Sequence, residues 1–543
     1  MTYEVLDIDA LGRIGKLIKD NSELLTPNLI PVIHPYNNLL NPSEIKKIGF
    51  NCIFTNAYII YQNEKSRNDV LNQGLHNYLN YNGLIATDSG AFQQYMYNDD
   101  NIQISPYEIE KFQENIGSDF PVILDIPVQP DDSFSIAKEK VEVSIRRAKD
   151  NIQRRTKNCS WIGPVHGAEY PDLLKISTLE MSKLDYDIYA IGGLVKYFLE
   201  YQFETILKIL INVKRNIIPT KPLHMFGLGL PQFFSLAIGF GCDLMDSAAY
   251  ILYAKENRYF TLSGTKKLEE LYEFPCHCPI CLKYSVNELR GFEDNLRIKL
   301  LAMHNLHLSY LELKTIRQAI KEGRLWELID QRIRSHPNLV RAFRTLKYNI
   351  SLFEKYEKIY KDHGRLFSSL ESKDRPIVFR YNLRLNKNYR IPEEVKYLII
   401  LPELDIKGYK SPSIKDWIDK IDHNKLVNRN LIHIVFFSNI FGIIPLELTS
   451  VFPMGQYESI SYNEFQKKTY INIESYFIKN LENYKKCAFL IPEIYIDQFN
   501  KRIQFKEKVL MKIIKKLKVK IDIPIEIFNN VEDIFKFFNI IKK

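Results

Sequence analysis

The amino-acid sequence predicts an α/β protein whose first part is a (β/α)8 barrel, a TIM barrel. A short apolar run that ends in small or polar residues is followed by a longer amphipathic stretch, and this alternation recurs eight times. Strands that alternate with helices form parallel β/α units, and eight such units close into a barrel. The runs are NLIPVIHP (28–35), FNCIFTNAYII (50–60), GLIATDSGAF (83–92), FPVILDIPV (120–128), WIGPVHG (161–167), IYAIGGL (188–194), LHMFGLG (223–229) and CDLMDS (242–247).

The rhythm of the sequence changes after the eight runs. We expect the barrel domain at 1–347, with a cysteine-containing subdomain at about 266–312. A connecting segment follows at 348–394, in which RPIVFRYNLRLNKNYRIP (375–392) is predicted to be extended and basic. Apolar runs such as VKYLIILPE, LIHIVFFS and CAFLIPEIYI then predict a C-terminal α/β domain at 395–543.

Composition narrows the class of protein. The chain has 543 residues, 45% of them hydrophobic, which is typical of a globular protein and excludes a disordered one. A formal charge of +9 permits a polyanionic partner without requiring one. The N-terminus lacks the apolar core of a signal peptide, and no run reaches the ~18 apolar residues of a membrane span. We therefore expect a soluble, cytoplasmic protein with no membrane partner.

Three of the seven cysteines form a tight cluster, Cys276-x-Cys278-x2-Cys281. Thiolates at this spacing are good ligands for a soft metal and poor disulfide partners in a reducing compartment. A fourth ligand would close a tetrahedron, and His304 and His307 on the following helical stretch are the candidates. His277 competes with them, but its position inside the cluster is awkward. Four protein ligands would make the site a structural zinc site.

Unusual polar residues stand where the predicted strands end. They are Asp88, Asp125, His166 and Asp246, accompanied by the glycines Gly192, Gly193, Gly227 and Gly229. One such aspartate is more often a helix N-cap than a catalytic group. Several of them on the carboxyl-terminal rim of a barrel, where such folds carry their chemistry, favour an active site.

These residues belong to motifs that resemble one family, the tRNA-guanine transglycosylases. The motifs TDSGAFQ (87–93), GPVHG (163–167), GGL (192–194), FGLG (226–229), GCDLMDSAAY (241–250) and CHCPIC…HN (276–305) occur in the family's order, and the resemblance covers roughly residues 8–345. The segments NLVRAFRTLKY (338–348) and IIPLELTSVFPMGQYE (443–458) resemble the archaeal branch.

The resemblance implies a role for each motif residue. Asp246, rather than Asp243, would be the nucleophile, and Asp88 the general acid/base. The base would stack on Phe92 and be bound by Asp125, by His166 and by the backbone of Gly192, Gly193 and Leu194. The implied zinc ligands are Cys276, Cys278, Cys281 and His304.

The implied reaction is the exchange of guanine at position 15 of tRNA for 7-cyano-7-deazaguanine (preQ0), a step of archaeosine biosynthesis. Two carboxyl groups would carry it by double displacement, with retention of configuration. Two alternatives stay open: a wobble-position, queuine-type enzyme and a non-catalytic tRNA-binding subunit. The expected partners are tRNA, preQ0 and a second copy of the chain.

The sequence departs from the family pattern in two places. His166 stands where the family usually has Gln, which puts the contact of that residue with the base in doubt. The PUA domain usual in archaeal members is not recognisable in this sequence, so a separate PUA-domain protein is a candidate partner.

Overall fold

The computed structural model describes residues 1–91, 104–156, 159–424, 428–459, 467–480, 483–505, 508–520 and 522–538. The chain divides into two compact units, Met1–Lys358 and Ile359–Lys543.

The first unit alternates strands and helices. Its strands are β1 (Thr2–Asp9), β2 (Gly12–Lys19), β3 (Ser22–Thr26), β4 (Asn28–Pro31), β5 (Cys52–Asn56), β6 (Leu84–Asp88), β7 (Phe120–Pro121), β8 (Ile162–Val165), β9 (Ile188–Ile191), β10 (Leu223–Met225), β11 (Leu244–Ser247), β12 (Arg258–Thr261) and β13 (Gly264–Lys267). Its α-helices span Pro42–Ile48, Ala57–Gln62, Glu64–Gln73, Leu75–Tyr78, Pro106–Asn115, Phe134–Arg154, Pro171–Ser182, Val195–Leu199, Phe203–Asn216, Pro231–Gly239, Ala249–Lys255, Pro279–Lys283, Val286–Gly291, Asp294–Lys321, Leu325–Arg332, Pro337–Phe343 and Ile350–Tyr356.

Strands β4 to β11 form two parallel sheets. One has the order β4-β11-β10-β9-β8 and the other the order β5-β6-β7. Isolated parallel bridges join Val32 to Phe54 and Val122 to Ile162, beside the outer strands of the two sheets. Each of the eight predicted apolar runs contains one of these strands, and the α/β class with parallel strands is confirmed.

Successive side chains point to opposite faces of a strand, and both faces of these parallel strands are buried. One set of alternate residues forms an interior cluster that includes Ile30, Ala86, Ile188 and Leu244. The other set packs into the large core that the helices share. This two-sided burial explains why the runs are continuously apolar.

An antiparallel sheet, β1-β2-β3, precedes the parallel strands and was not predicted. Its strand β2 carries the buried Arg13, whose Nε and Nη2 donate to the Asp243 carboxylate at 2.9 and 2.5 Å. The backbone N–H of Leu223 also donates to Asp243, at 2.8 Å. Burial opposes ionisation of Asp243, but the Arg13 charge holds the pKa of the carboxyl below its usual value. The pair therefore joins β2 to the start of β10 and β11.

The second unit has its own sheet, of order β17-β16-β15-β19-β22, in which only the β16–β17 pair is antiparallel. Its strands are β14 (Arg365–Phe367), β15 (Tyr397–Pro402), β16 (Ile432–Ser438), β17 (Gly442–Pro445), β18 (Tyr457–Ser459), β19 (Lys486–Leu490), β20 (Ile494–Ile496), β21 (Arg502–Gln504) and β22 (Ile525–Phe528). Its α-helices span Pro376–Asn388, Pro412–Asp422, Lys467–Asn480, Lys508–Lys520 and Val531–Phe538.

One prediction for this unit was wrong. The segment 375–392, expected to be extended, is helical over Pro376–Asn388. Pro376 lies in the first turn, where a proline costs no hydrogen bond. Val378, Asn382 and Leu385 lie on one buried face of the helix. This spacing of three and four residues is helical, and the basic residues between them obscured it.

No helix among the described residues is both long enough and apolar enough to cross a membrane.

The Arg13–Asp243 pair gives a stability prediction. Arg13→Leu leaves a carboxylate buried without its cationic partner, so we expect the free energy of unfolding to fall by about 3–5 kcal/mol. Lys16→Leu, on the same strand, breaks only the exposed 3.2 Å pair with Glu23 and should cost less than about 1 kcal/mol. Urea unfolding of the two variants measures both values. Equal losses would contradict a special role for the buried pair.

Candidate active site

The polar residues at the carboxyl ends of the parallel strands continue the alternation of the apolar residues in the interior cluster. Asn56, Asp88, Gly192 and Asp246 each lie two residues after a member of that cluster. Their side of the strand is therefore the interior side. Asp243 has the opposite parity and pairs with Arg13 instead.

A cavity of about 1010 Å³ opens at this end of the strands. It brings together most of the predicted site residues, namely Asp88, Asp125, Asp246, Gly192, Gly193 and Leu194. His166 is buried and is not among the residues that line the cavity. Phe92 lies outside the described residues.

Asp246 is held through one of its two carboxylate oxygens. Its Oδ1 lies 2.8 Å from Nε2 of His224 and accepts the backbone N–H of Gly227 at 3.3 Å. Gly227 has φ +79°, a backbone conformation that favours glycine. The His224 side chain is fully buried. Oδ1 is engaged on the protein side, and no hydrogen bond holds Oδ2 among the described residues, so Oδ2 is the oxygen available to act in the cavity.

Asp88 sits in a different electrostatic environment. Its carboxyl group accepts hydrogen bonds from Nδ2 of Asn56 at 2.8 Å and from the backbone N–H of Gly90 at 3.3 Å. Loss of solvent and the negative charges of Asp125 and Asp246 raise the pKa of Asp88 to about 7. A carboxyl with this pKa can both donate and accept a proton near neutral pH.

Asp125 is bonded to His166. The Asp125 Oδ2 atom lies 2.5 Å from Nε2 of His166, and both side chains are buried. Arg147 donates to the backbone carbonyl of Asp125 at 3.4 Å and to that of Leu124 at 3.0 Å. The carboxylate thus faces the cavity while its backbone and one oxygen are held from behind.

A second cluster lies apart from the carboxylates. The ligand atoms of Cys276, Cys278, Cys281 and His304 all lie within 4.8 Å of one another. Nδ1 of His304 is 3.5 Å from Sγ of Cys278 and 3.4 Å from Sγ of Cys281. Ligands bound tetrahedrally to one ion at about 2.0–2.3 Å are separated by about 3.5–3.8 Å. The cluster therefore has the dimensions of a metal site.

The contacts of His304 orient its imidazole so that Nδ1 faces the three thiols. Its Nε2 lies 3.0 Å from the carbonyl oxygen of Phe260, which fixes the proton there and leaves the lone pair of Nδ1 facing the thiols. Tyr259 stacks on the imidazole at a centroid distance of 3.6 Å. His277 is exposed, and neither it nor His307 belongs to the cluster.

Sequence reasoning missed His224 and Asn56, although both contact a predicted carboxylate. His224 stands in the apolar run LHMFGLG and resembles an ordinary core residue. The alternation of side chains along the strands could have identified both residues, because each lies on the interior side of its strand.

Comparison with known families identifies the first unit. Residues 8–338 match the family model described as queuine tRNA-ribosyltransferase. This range contains every carboxylate of the cavity and the whole Cys3His cluster.

Curated relatives extend the match beyond that range. A tRNA-guanine(15) transglycosylase of Methanocaldococcus jannaschii is 37% identical over 476 residues, 86% of this chain and 70% of that protein. The Pyrococcus furiosus protein of the same name is 40% identical over 402 residues, 74% of this chain and 68% of its own length. The Methanococcus vannielii protein of that name is 32% identical over 548 residues, 95% of this chain and 81% of its own length.

The electrostatics of the cavity give a titration prediction. We expect the Asp88 carboxyl to titrate near pH 7, against about 4 for an exposed aspartate. Carbon-13 NMR of aspartate-labelled protein measures this, with the signal assigned by its loss in Asp88→Asn. Asp125→Asn should move the midpoint to lower pH, because it removes a negative charge that opposes ionisation.

Asp185→Asn is the matched control, since it removes a carboxylate that is exposed and pairs with Lys221. The Asp88 midpoint should not move in this variant. A midpoint near 4 in the unaltered protein would contradict the raised pKa.

Proposed function

Because this chain belongs to the tRNA-guanine transglycosylase family, we propose that it exchanges guanine at position 15 of tRNA for preQ0 through a covalent aspartyl intermediate, in archaeosine biosynthesis. The chain is an enzyme, a glycosyltransferase. The observation that carries the proposed mechanism is that Asp88 and Asp246 line one cavity in unlike environments.

Asp246 is the proposed nucleophile. Its Oδ2 attacks C1′ of the ribose while the bond from C1′ to the base breaks and its electron pair leaves with the base. His224 and Gly227 hold Oδ1, which becomes the carbonyl oxygen of the aspartyl ester and still accepts their hydrogen bonds. The bond from His224 also fixes the carboxylate plane, so the attacking oxygen is oriented before the RNA binds.

Asp88 is the proposed general acid and base. In its neutral form it protonates the departing guanine, and as a carboxylate it then takes a proton from the incoming base. That base attacks C1′ and releases Asp246, so configuration is retained and no water is consumed. The raised pKa of Asp88 supports this double role, because both forms are populated near pH 7.

The base is proposed to bind on the cavity wall formed by Asp125 and by the backbone of Gly192, Gly193 and Leu194. The carboxylate of Asp125 can accept two N–H groups, which suits the edge of a guanine-type base. A stacking role for Phe92 stays part of the proposal.

We also propose that the eight strands β4 to β11 close into a (β/α)8 barrel. The bridges Val32–Phe54 and Val122–Ile162 support closure, since they join the two sheets at both of their seams. The domain limits at 347 and 394 stay predictions.

The Cys3His cluster is proposed to hold one structural zinc ion. All four positions would then be filled by protein ligands, so the metal would serve folding and no step of the reaction. The remaining proposed partners are a second copy of the chain and a separate PUA-domain protein. A reducing, cytoplasmic location stays part of the proposal, because the three clustered cysteines would serve as metal ligands and not as disulfide partners.

Base exchange tests the function. Radiolabelled guanine should enter an unmodified tRNA transcript at position 15, and preQ0 should chase it out. Asp246→Asn should reduce incorporation by about a thousandfold or more, because the covalent step is lost. Binding of tRNA in a gel shift should change little, since phosphate contacts dominate that affinity.

Two controls sharpen this test. A transcript without guanine at position 15 should not be labelled, whereas one without guanine at position 34 should be. Glu256→Gln removes one negative charge from the same cavity and should retain exchange within about threefold. Labelling at position 34, or an active Asp246→Asn enzyme, would contradict the proposal.

Removal of the metal tests the zinc site. Purified protein should contain about one equivalent of zinc, and chelation or Cys278→Ser should lower the melting temperature because the cluster joins β12, the Pro279–Lys283 helix and the Asp294–Lys321 helix. His277→Ser, which alters the exposed neighbour, should keep both metal and stability. Metal-free protein with an unchanged melting curve would exclude a structural zinc.

A further inference from the structure

His166 is a buried imidazole whose only described side-chain hydrogen bond is to Asp125. Its side chain is 1% exposed, and its Nδ1 is buried without a hydrogen-bond partner among the described residues. Carboxylate oxygens serve as acceptors, so we assign the donor of the 2.5 Å contact to Nε2–H of His166. The imidazole is therefore a donor aimed at one carboxylate oxygen.

The same ring supports the neighbouring turn. A Cβ atom built on Gly192 would lie 2.2 Å from Cε1 of His166, so the backbone at 192 passes directly over the imidazole and only glycine fits there. The backbone N–H of His166 donates to Ser177 Oγ at 3.1 Å, and that of Gly192 donates to the Val165 carbonyl at 3.1 Å. The ring is thus fixed between β8 and β9, beneath the wall that carries Gly192 and Gly193.

The cavity reaches Asp125, Gly192 and Gly193 but not His166. We propose that His166 is a positioning residue that orients Asp125 and supports the Gly192 turn, so that Asp125, and not His166, contacts the base. This rests on the proposed base exchange. It assigns to His166 a different task from direct contact with the base, the role that the family resemblance raised for this position.

The hydrogen bond between His166 and Asp125 has a consequence for base binding. With Oδ2 tied to His166, the plane of the Asp125 carboxylate is set before the base arrives, and a donor edge with two N–H groups meets a prepared acceptor. A base without the second donor leaves one acceptor position of the Asp125 carboxylate unfilled and should be rejected. His166 therefore contributes to the choice of guanine-type bases over hypoxanthine without touching them.

Two variants with an amide side chain test the proposal, because they differ only in how far the amide N–H extends from the backbone. His166→Gln places an amide N–H near the position of Nε2, whereas His166→Asn places it near the position of Nδ1, too short to meet Asp125. We expect His166→Gln to keep the KM for radiolabelled guanine within about threefold. His166→Asn should raise that KM about 10- to 100-fold, as for a lost hydrogen bond to a charged group, and weaken discrimination against hypoxanthine.

The KM for tRNA and the kcat at saturating guanine should stay within about threefold in both variants. Melting temperature and metal content report whether each variant folds. Equal KM values for guanine in the folded Gln and Asn variants would overturn the proposal.

A double-mutant cycle separates positioning from direct contact. In an Asp125→Asn background, His166→Asn should have no further effect on kcat/KM for guanine. Independent, multiplying effects would mean that His166 meets the base itself and would overturn the proposal.

The hydrogen bond can also be observed without any reaction. The Nε2–H proton of His166 should give a far-downfield NMR signal that disappears in Asp125→Asn. This signal distinguishes the two proposals. If the unaltered protein shows the signal but exchanges no guanine, only the proposed function fails. If the unaltered protein lacks the signal, the positioning role of His166 is overturned.

Discussion

The alternation of side chains along the parallel strands decides which polar groups reach the cavity. Interior residues such as Ala86 and Leu244 belong to one buried cluster, and the next residue of the same parity, Asp88 or Asp246, lines the cavity near the end of the strand. A shift of one residue would turn each carboxylate toward the helices. The alternation therefore fixes which polar groups reach the cavity, because a slip of one residue would exchange the side chains of the interior cluster with those that pack against the helices, and both sets would have to repack.

The three aspartates that line the cavity share a second feature. Each is paired with an amide or imidazole nitrogen: Asp88 with Asn56, Asp125 with His166 and Asp246 with His224. The structural carboxylate of Asp243 is paired with a guanidinium instead, which holds its pKa low. An arginine placed beside Asp88 would lower its pKa in the same way and remove the acid form. The neutral amide of Asn56 orients Asp88 without adding a positive charge, so burial and the charge of Asp125 still raise the pKa of Asp88.

Sequence patterns predicted the features that local order determines. The eight apolar runs each hold a strand, and the tight cysteine spacing identified the cluster that His304 completes. The pairing of His224 with Asp246 joins two strands 22 residues apart, and no local pattern encodes it. The antiparallel sheet β1-β2-β3 was also missed.

The helix at Pro376–Asn388 was missed for a different reason. Its basic residues interrupt the apolar spacing that identifies a helical face. The signal for this helix is therefore local, unlike that for the His224–Asp246 pair, which depends on a tertiary contact.

The Cys3His cluster and the cavity are linked through one helix, Asp294–Lys321. His304 and its neighbour Asn305 both hold strand β12: His304 through the Phe260 carbonyl, and Asn305 through the Phe260 N–H at 2.8 Å and the Arg258 carbonyl at 3.2 Å. Asn305 also donates to the carbonyl of Tyr250 at 3.0 Å, and Tyr250 lines the cavity four residues after Asp246. An ion that fixes His304 would therefore also fix the wall beside Asp246, the proposed nucleophile. A site remote from the reacting atoms would in this way sustain the orientation that the proposed double displacement requires.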